Sequence, residues 1–496
     1  MTTTPCILGL DVSTTASKAL CIDSEGTILG IASNEHPLSS PHPMWSEQNP
    51  ETWWDTMVQS IRSLVEMPSI DPEAIEAIGL TGQMHGLVLL DSHGNVIRPA
   101  MLWNDGRSGD QCDRIRTQIG HQALVSITGN DAFTGFTAPK LLWVQDHEPS
   151  CYAKISQILL PKDYIRWQLS DVYATDRAGA GGTLLLDIST RNWAAHLLST
   201  LDISQEWLPP TYEGTECTGQ VSHACASMTG LMEGTPIFAG GGDQAAQAIG
   251  VGAMDPDTWA VTLGTSGVVF APCNHPSIEP MGRAHAFPHA IPNTWHMMGV
   301  MLSAAGSLQW YKDTFAGNIP MDQLLQETSD IQPGSDGLFF SPYLTGERTP
   351  HADPMVRGSF TGLTSRHTRG HITRAVLEGV GYGLKDNLQL LYQVGLPAPK
   401  RIRISGGGAQ SSLWVQMLAD IMGTPLEIVK ATEGAAVGAA LLAGTGAGIW
   451  GSMDDACGQV ISVEGQCDPS ESSVLYEGFH SKFGELYSCL KGFYHS

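Results

Sequence analysis

The sequence predicts an α/β fold of two halves that face each other across a cleft. The chain has 496 residues, which is too long for a single hydrophobic core. Each half opens with an apolar strand, a turn of small hydroxyl residues and a returning strand; the first unit starts at Ile7 and the second at Thr258. We place the boundary in the turn cluster Met254-Asp255-Pro256-Asp257. The predicted domains are therefore residues 1–254 and 255–496.

The elements of the N-terminal half follow from turn residues and one helix cap. The turn Ser24-Glu25-Gly26 joins two short apolar runs and predicts an antiparallel hairpin. Asn49 followed by Pro50 is typical of a helix start, with Asn as the N-cap and Pro at the first helical position. The predicted elements are strands over residues 7–11, 18–23, 27–33 and 75–80 and a helix over residues 50–65.

The C-terminal half repeats the opening of the first half and then becomes mainly helical. The predicted elements are strands over residues 258–263, 268–271 and 401–404 and helices over residues 304–315, 371–394 and 411–422. The two halves are similar in topology and do not form a sequence repeat of fixed period. Ligands commonly bind in the cleft between two such halves.

Composition excludes several classes of partner. Lys and Arg number 26 against 50 Asp and Glu, which gives a formal net charge of -24. Nucleic acids and anionic membranes bind concentrated basic residues, so neither is an expected partner. The ten cysteines form no C-x-x-C pair and the opening residues lack a secretory signal, which favours reduced thiols and the cytoplasm. The most apolar stretch, residues 435–450, is too short to span a bilayer.

Two hydroxyl-rich turns have the composition of a phosphate site. Asp11-Val12-Ser13-Thr14-Thr15 and Leu263-Gly264-Thr265-Ser266-Gly267 each follow an apolar strand. Tight turns of this kind can offer backbone N–H groups to an anion, and an aspartate at a strand end can hold hydrated Mg²⁺. Either motif alone is more often an ordinary turn. Two of them, each near the start of one half, favour the binding of a phosphate.

A third motif places a carboxylate beside a glycine-rich turn. Gly240-Gly241-Gly242-Asp243 precedes an alanine-rich helix. In isolation such an aspartate is more often a helix N-cap. In a cleft it can instead serve as a general base that accepts the proton of an attacking hydroxyl. The pattern leaves both interpretations open.

Two further segments have residues suited to ligand recognition. The glycines of Ser405-Gly406-Gly407-Gly408-Ala409 would let adenine lie against the main chain, or would let a strand pack closely on a helix. Gln83-Met84-His85-Gly86 could bind several hydroxyls, although a lone histidine is more often structural.

The chain contains no Gly-Lys dipeptide and hence no Walker A loop. Its one G-x-G-x-x-G match, at residues 446–451, follows a helical stretch rather than a strand.

Taken together, the motifs resemble those of the FGGY carbohydrate kinases, a family within the actin/Hsp70/sugar-kinase superfamily. The resemblance covers nearly the whole chain. It is carried by residues 43–50 (PMWSEQNP), 82–86 (GQMHG), 102–107 (LWNDGR), 128–130 (TGN), 135–140 (GFTAPK), 160–164 (LPKDY), 341–350 (SPYLTGERTP) and 405–409 (SGGGA). Within the family, the Met84-His85-Gly86 segment is typical of the kinases that act on D-xylulose.

The resemblance implies two ribonuclease-H-like domains with the active site between them, and it implies a role for each motif. Asp243 corresponds to the catalytic base and Asp11 to the aspartate that holds Mg²⁺ through water. The remaining predicted site residues are Ser13, Thr14 and Thr15 in the first phosphate turn, Gly264, Thr265 and Ser266 in the second, Gly407, Gly408 and Ala409 at adenosine, and Met84, His85, Trp103, Asn104, Asp105 and Gln244 at the sugar. Gln244 stands where the family often has Asn, which bears on substrate preference.

The implied activity is ATP-dependent phosphorylation of D-xylulose, with ATP, Mg²⁺ and a small sugar as the ligands. Ribulose, gluconate, glycerol and 1-deoxy-D-xylulose stay open as alternative substrates. An ATPase of the actin or Hsp70 type is a further alternative, and Asp243 and the Met84-His85 pair speak against it. The sequence leaves open whether the protein forms a homodimer.

Overall fold

The computed structural model describes residues 4–429 and 433–496, and its first half is built around a six-stranded sheet. The strands of this half are β1 (Cys6–Val12), β2 (Ala16–Asp23), β3 (Ile28–Glu35), β4 (Glu47–Gln48), β5 (Ile75–Gly82), β6 (Val88–Leu90), β7 (Ala100–Met101), β8 (Gln157–Leu159), β9 (Thr175–Asp176), β10 (Leu186–Asp187), β11 (Asn192–Trp193), β12 (Thr211–Tyr212), β13 (Cys217–Gln220) and β14 (Pro236–Gly242). The helices are α1 (Pro50–Val65), α2 (Gly109–Ile119), α3 (His121–Thr128), α4 (Thr137–His147), α5 (Pro149–Tyr152), α6 (Pro161–Ser170), α7 (Arg177–Gly181), α8 (Ala195–Thr200), α9 (His223–Thr229) and α10 (Asp243–Gly250).

The second half is built around a seven-stranded sheet. Its strands are β15 (Thr258–Leu263), β16 (Gly267–Cys273), β17 (His285–Pro288), β18 (Trp295–Met301), β19 (Phe339–Ser341), β20 (Ser359–Thr361), β21 (Arg401–Ser405), β22 (Leu426–Val429) and β23 (Val463–Cys467). Its helices are α11 (Ala305–Tyr311), α12 (Met321–Gln326), α13 (Arg369–Gln393), α14 (Ser412–Met422), α15 (Gly434–Gly446), α16 (Met453–Val460) and α17 (Ser473–Tyr494).

The two main sheets share one topology. The first has the order β13-β14-β5-β1-β2-β3 and the second β17-β18-β16-β15-β21-β22-β23. In each sheet the opening strand pairs antiparallel with the strand that follows it and parallel with a later strand, β1 with β5 and β15 with β21. The predicted α/β fold of two similar halves is therefore confirmed.

Most predicted elements are confirmed within a few residues. Asn49 caps α1 by accepting a hydrogen bond from the backbone N–H of Glu51 at 3.2 Å, and the helix ends at Val65 as predicted. The helix predicted over residues 304–315 is shorter in its α-helical part, since α11 continues as a π-helical turn over Lys312–Ala316. Among the described residues no helix is both long and apolar enough to cross a membrane. The predicted absence of a secretory signal rests partly on residues 1–3, which lie outside the described residues.

Helix α15 comes from the second half of the chain and packs against the first sheet. A Cβ atom on Gly9 of β1 would lie 2.1 Å from the carbonyl oxygen of Ala436, and one on Gly79 of β5 would lie 1.9 Å from that of Ala439. Only glycine therefore allows the helix backbone to lie this close to the strands. The predicted domain boundary near Met254 stays a prediction, because α15 lies after it and belongs spatially to the first sheet.

Replacing Gly79 with Ala is expected to destabilise the protein, because the new methyl group would overlap the backbone of α15. Overpacking of this kind costs about 1–3 kcal/mol, so we expect the thermal midpoint to fall by roughly 5 °C. The matched control is Gly484→Ala, since Gly484 is exposed on α17 with nothing within 4 Å of its would-be Cβ. That change should leave the midpoint unchanged or raise it. Equal midpoints for the two variants would contradict the packing argument.

Candidate active site

The first sheet brings three of the predicted motifs to one edge. Strands β1, β5 and β14 run parallel to one another, so their carboxyl ends lie side by side. Asp11 lies near the end of β1, the Gln83–Gly86 segment follows β5, and Asp243 follows β14 as the first residue of α10. Motifs more than 200 residues apart in the chain thus meet at the cleft.

Asp243 lies at the start of α10 and does not act as its N-cap. The N-cap residue is Gly242, and its extended backbone turns the chain from β14 into the helix. Burial and the negative charge of Asp11 raise the pKa of Asp243 to about 7, while hydrogen bonds from Gln244 act in the opposite direction. A carboxyl group with this pKa is well matched to proton transfer near neutral pH.

Asp11 is buried and only partly balanced by a cation. Burial raises the pKa of Asp11 to about 6, Lys18 lowers it, and Glu433 raises it again. Lys18 forms an ion pair with Glu433, which draws its charge away from Asp11. Within residues 4–429 and 433–496, Oδ1 of Asp11 has no hydrogen-bond partner. The site thus holds a carboxylate oxygen that a cation or a water molecule could satisfy.

Two cavities lie along the cleft, with the second hydroxyl-rich turn between them. The smaller, of about 210 Å³, is lined by both halves: Thr14, Met84, His85, Trp103, Phe133, Gly135, Phe136, Asp243, Gln244, Ser266, Val268, Met298, Val300 and Arg348. The larger, of about 910 Å³, lies within the second half, and its walls include Gly264, Thr265, Gly407 and Gly408. Since Ser266 lines one cavity and Thr265 the other, a ligand that spans the turn would reach from one cavity into the other.

A chain of hydrogen bonds holds the first hydroxyl-rich turn. The amide of Gln48 donates to the carbonyl oxygen of Thr14 at 2.7 Å, and the hydroxyl of Thr14 donates to Oε1 of Gln83 at 3.3 Å. The indole N–H of Trp103 donates to the same Thr14 hydroxyl at 3.0 Å. The turn and the Trp103 wall of the smaller cavity are therefore held as one unit.

His85 also lines the smaller cavity. Its backbone has a φ of 68°, a left-handed conformation that few non-glycine residues adopt. Lys140 stabilises this conformation, because its buried ammonium donates hydrogen bonds to the carbonyl oxygens of His85 at 2.7 Å and Leu102 at 2.9 Å. Burial lowers the pKa of Lys140 to about 7 and that of His85 to about 3, so the imidazole is neutral at physiological pH.

Some predicted site residues lie outside the two cavity walls. Asn104 and Thr15 are exposed, Ala409 is buried, and the hydroxyl of Ser13 donates to the carbonyl oxygen of Ala16 at 2.9 Å. The carboxylate of Asp105 is buried, where it accepts hydrogen bonds from the backbone of Ser46 at 2.7 Å and from Arg107 at 2.6 Å. The ligand roles assigned to all the predicted site residues stay predictions.

The sequence argument missed several cavity-lining residues. They are Phe133, Gly135, Phe136, Val268, Met298, Val300 and Arg348. Most are apolar side chains, whose sequence pattern does not differ from that of hydrophobic core residues, so periodicity could not distinguish them from structural residues. Arg348 had a signal, since it belongs to the SPYLTGERTP segment that carries the family resemblance, but nothing in that segment indicated which way its side chain would point.

Comparison of the chain with known protein families agrees with this arrangement of motifs around a cleft. The chain matches the N-terminal domain of the FGGY family of carbohydrate kinases over residues 6–250 and the C-terminal domain of that family over residues 259–447. The chain belongs to the FGGY family of carbohydrate kinases. It is therefore an ATP-dependent sugar kinase, and the resemblance seen in its motifs is confirmed.

Individual relatives of this FGGY kinase are similar over almost the full length. The xylulose kinase of Escherichia coli K12 is 39% identical over 97% of this chain and 99% of its own length. The xylulose kinase of Bacillus subtilis 168 is 37% identical over 98% and 99%. Among solved structures, a Brucella ovis xylulose kinase superposes with a TM-score of 0.92 at 37% identity, covering 98% of this chain and 100% of that one.

The fold does not by itself distinguish the substrate of an FGGY kinase. The gluconate kinase of Lactobacillus acidophilus superposes on this chain with a TM-score of 0.94 at 27% identity, covering 98% of each chain. That score matches the 0.94 obtained with a xylulose kinase of the same organism at 28% identity, over 99% of each chain. Substrate choice must therefore be argued from side chains.

Replacing Asp11 with Asn tests the electrostatic coupling at the strand ends. The change removes a negative charge that raises the pKa of Asp243, so that pKa should fall below about 7. The carboxyl ¹³C shift of Asp243, followed against pH by NMR in protein labelled at aspartate, measures the change. The control is Asp454→Asn, at an exposed position in the first turn of α16, which should leave the titration of Asp243 where it was. An unmoved midpoint in Asp11→Asn would refute the coupling.

Proposed function

We propose that this chain transfers the γ-phosphoryl group of ATP to the terminal hydroxyl of D-xylulose and so forms D-xylulose 5-phosphate. The observation that carries the proposal is the smaller cavity, whose wall contains both Asp243, with its raised pKa, and Ser266 of the second hydroxyl-rich turn. Near-full-length relatives that are xylulose kinases support the choice of sugar. The Met84-His85 pair in the wall supports it as well.

Asp243 acts on the sugar hydroxyl. Its carboxylate orients the terminal O–H for in-line attack and accepts the proton as the new O–P bond forms. The transition state of phosphoryl transfer is largely dissociative, so positioning contributes more than base strength. A pKa of about 7 leaves a substantial fraction of Asp243 ionised at neutral pH, without the low basicity of an ordinary surface carboxylate.

The two hydroxyl-rich turns bind the phosphates. Thr14 in the first turn and Ser266 in the second both line the smaller cavity, while Gly264 and Thr265 open onto the larger one. Their N–H and O–H groups would stabilise the charge spread over the transferring group. The adenosine moiety would occupy the larger cavity beside Gly407 and Gly408, where no atom lies within 4 Å of the position a Cβ of Gly407 would take.

The acidic strand ends fit a hydrated magnesium ion. No cluster of three or more His, Cys, Asp or Glu side chains suited to a metal occurs among the described residues. Mg²⁺ does not need such a cage, because it retains several waters and is bound by one or two carboxylates together with substrate phosphates. Asp11, with its unpartnered Oδ1, would hold the ion, and Asp243 follows β14 at the same edge of the sheet. When bound, Mg²⁺ supplies charge neutralisation at the phosphate oxygens.

The cysteines bear on the cellular setting. All ten cysteines are free, which agrees with a reducing compartment such as the cytoplasm. Homodimer formation stays a prediction. An ATPase of the actin or Hsp70 type is not favoured, because a sugar-sized cavity adjoins Asp243 and the family is one of carbohydrate kinases.

A coupled ADP-release assay with Mg-ATP tests the proposed substrate. The panel contains D-xylulose, D-ribulose, gluconate, glycerol and 1-deoxy-D-xylulose, and D-xylulose should give the highest kcat/KM. A higher value for another polyol would retain the phosphoryl chemistry and reject the sugar assignment. No turnover with any of them would reject the proposed function.

Replacing Asp243 with Ala tests the catalytic base. We expect kcat to fall by about three orders of magnitude or more, since both orientation and proton transfer are lost. The Kd for ATP should stay within about threefold, because the phosphate turns and the larger cavity remain. In the wild type, kcat/KM for the sugar should rise as pH rises through about 7, because only the ionised carboxylate accepts a proton.

Thermal stability separates this effect from unfolding. A carboxyl group whose pKa is raised to about 7 on folding lowers stability progressively as pH rises from its unfolded pKa of about 3.9, and the loss is complete above about 7, so Asp243→Ala should melt no lower than the wild type at pH 8. The surface variant Asp454→Asn should retain full activity. Near-normal turnover by Asp243→Ala would show that another group takes the proton.

A further inference from the structure

Arg348 is a cation without a partner in the smaller cavity. Its guanidinium carbon lies 5.3 Å from the centre of the Phe133 ring, and burial lowers its pKa. Within the described ranges 4–429 and 433–496, the guanidinium makes no ion pair and donates no hydrogen bond. The charge of the adjacent Glu347 raises the pKa of Arg348, but within the described residues the two side chains form no ion pair, and Oε1 of Glu347 accepts from the backbone N–H groups of Leu302 at 3.0 Å and Arg348 at 2.7 Å. Five donors are therefore available to a ligand.

Arg348 and His85 lie against the same pair of aromatic rings. The guanidinium carbon is 5.3 Å from the centre of the Phe133 ring, the His85 ring is 4.6 Å from that of Phe136, and the two phenylalanine rings are 5.9 Å apart. We call this side of the cavity, with His85 and Arg348, its distal end, and the side at Asp243 its transfer end.

His85 supplies an acceptor at the distal end. Its Nδ1 lies 2.6 Å from the carbonyl oxygen of Gly182, so Nδ1 carries the hydrogen and donates it. The imidazole is neutral, and Nε2 is left with a lone pair. His85 can therefore accept a hydrogen bond from a ligand hydroxyl, whereas Arg348 can only donate.

The ketol end of an open-chain ketose has a carbonyl oxygen, which needs a donor, next to a hydroxyl group, which can donate to an acceptor. Arg348 and His85 supply this donor and this acceptor. We infer that Arg348 is a specificity-determining residue that donates to the C2 carbonyl oxygen of the sugar while Nε2 of His85 accepts from the C1 hydroxyl. This inference rests on the proposed function, because the terminal hydroxyl must lie at Asp243 for the ketol to lie at the distal end.

The same arrangement discriminates against polyols. Reducing the carbonyl to an alcohol places a new O–H beside Arg348, which has no lone pair to accept it. Phe133 and Phe136, the rings that lie against Arg348 and His85, are apolar and offer no acceptor. A buried hydroxyl hydrogen without an acceptor costs free energy, so the site selects a ketose over the corresponding polyol.

The test compares D-xylulose with xylitol, its reduction product at C2, in the wild type and in Arg348→Met. We expect Arg348→Met to lower kcat/KM for D-xylulose by about 100-fold and to change that for xylitol by less than about threefold. The KM for ATP should not change. Arg348→Lys retains the charge and three donors but not the planar fork, so an intermediate loss of about tenfold is expected.

Two further variants refine the assignment. Arg366→Met is the matched control, since Arg366 is exposed in the same half and away from the cavity, and it should behave as wild type on both substrates. His85→Ala should lower kcat/KM more for D-xylulose than for 1-deoxy-D-xylulose, which lacks the C1 hydroxyl. Thermal midpoints, and D-xylulose affinity from the fluorescence of Trp103 at the cavity wall, show whether each variant is folded and still binds sugar.

The outcomes separate the inference from the proposed function. A folded Arg348→Met that loses activity on D-xylulose and xylitol to the same extent would overturn the role in ketose recognition, because a merely structural arginine would affect both alike. Unchanged ketose-to-polyol selectivity in Arg348→Lys and Arg348→Met would overturn it too. A wild-type enzyme that turns over other sugars but not D-xylulose would instead reject the proposed function, and the inference with it.

Discussion

The placement of two carboxylates at one poorly solvated sheet edge is the constraint on which the site depends. Asp11 and Asp243 come from opposite ends of the first half, and the parallel pairing of β1, β5 and β14 brings them to neighbouring positions. Burial raises the pKa values of both groups, and the negative charge of Asp11 raises that of Asp243 further. In the proposed function, a divalent cation and a proton-donating hydroxyl would relieve this cost.

Close backbone contact joins this edge to the second half. Helix α15 lies against β1 and β5 at Gly9 and Gly79, and it also packs on α10, the helix that begins at Asp243. In α10–α15 packing, the would-be Cβ of Gly438 lies 1.9 Å from the carbonyl oxygen of Ala246. The helix that begins at Asp243 therefore packs on a helix from the second half of the chain.

This acidic protein has few Lys and Arg residues, and two of them lie at the smaller cavity. The ammonium of Lys140 donates hydrogen bonds to backbone carbonyl groups and so stabilises the left-handed backbone of His85. Arg348 makes no ion pair with any other residue that the structure describes. In the proposed function, a chain with a net charge of -24 binds phosphates through turns rather than through a basic patch, and the guanidinium of Arg348 would contact the neutral sugar.

Sequence alone determined the elements and the local chemistry of this protein. Strand patterning, the Asn49-Pro50 cap and the two hydroxyl-rich turns are local signals, and they predicted the two-half fold and the candidate residues Asp11 and Asp243. Only the tertiary structure decided which side chains share a cavity, because that depends on sheet register and helix packing between distant segments. In the tertiary structure the Asp105 carboxylate contacts Arg107 and does not line the cavity, whereas Arg348 lines the cavity together with His85. The reason is that the orientation of a loop side chain is set by its neighbours in space.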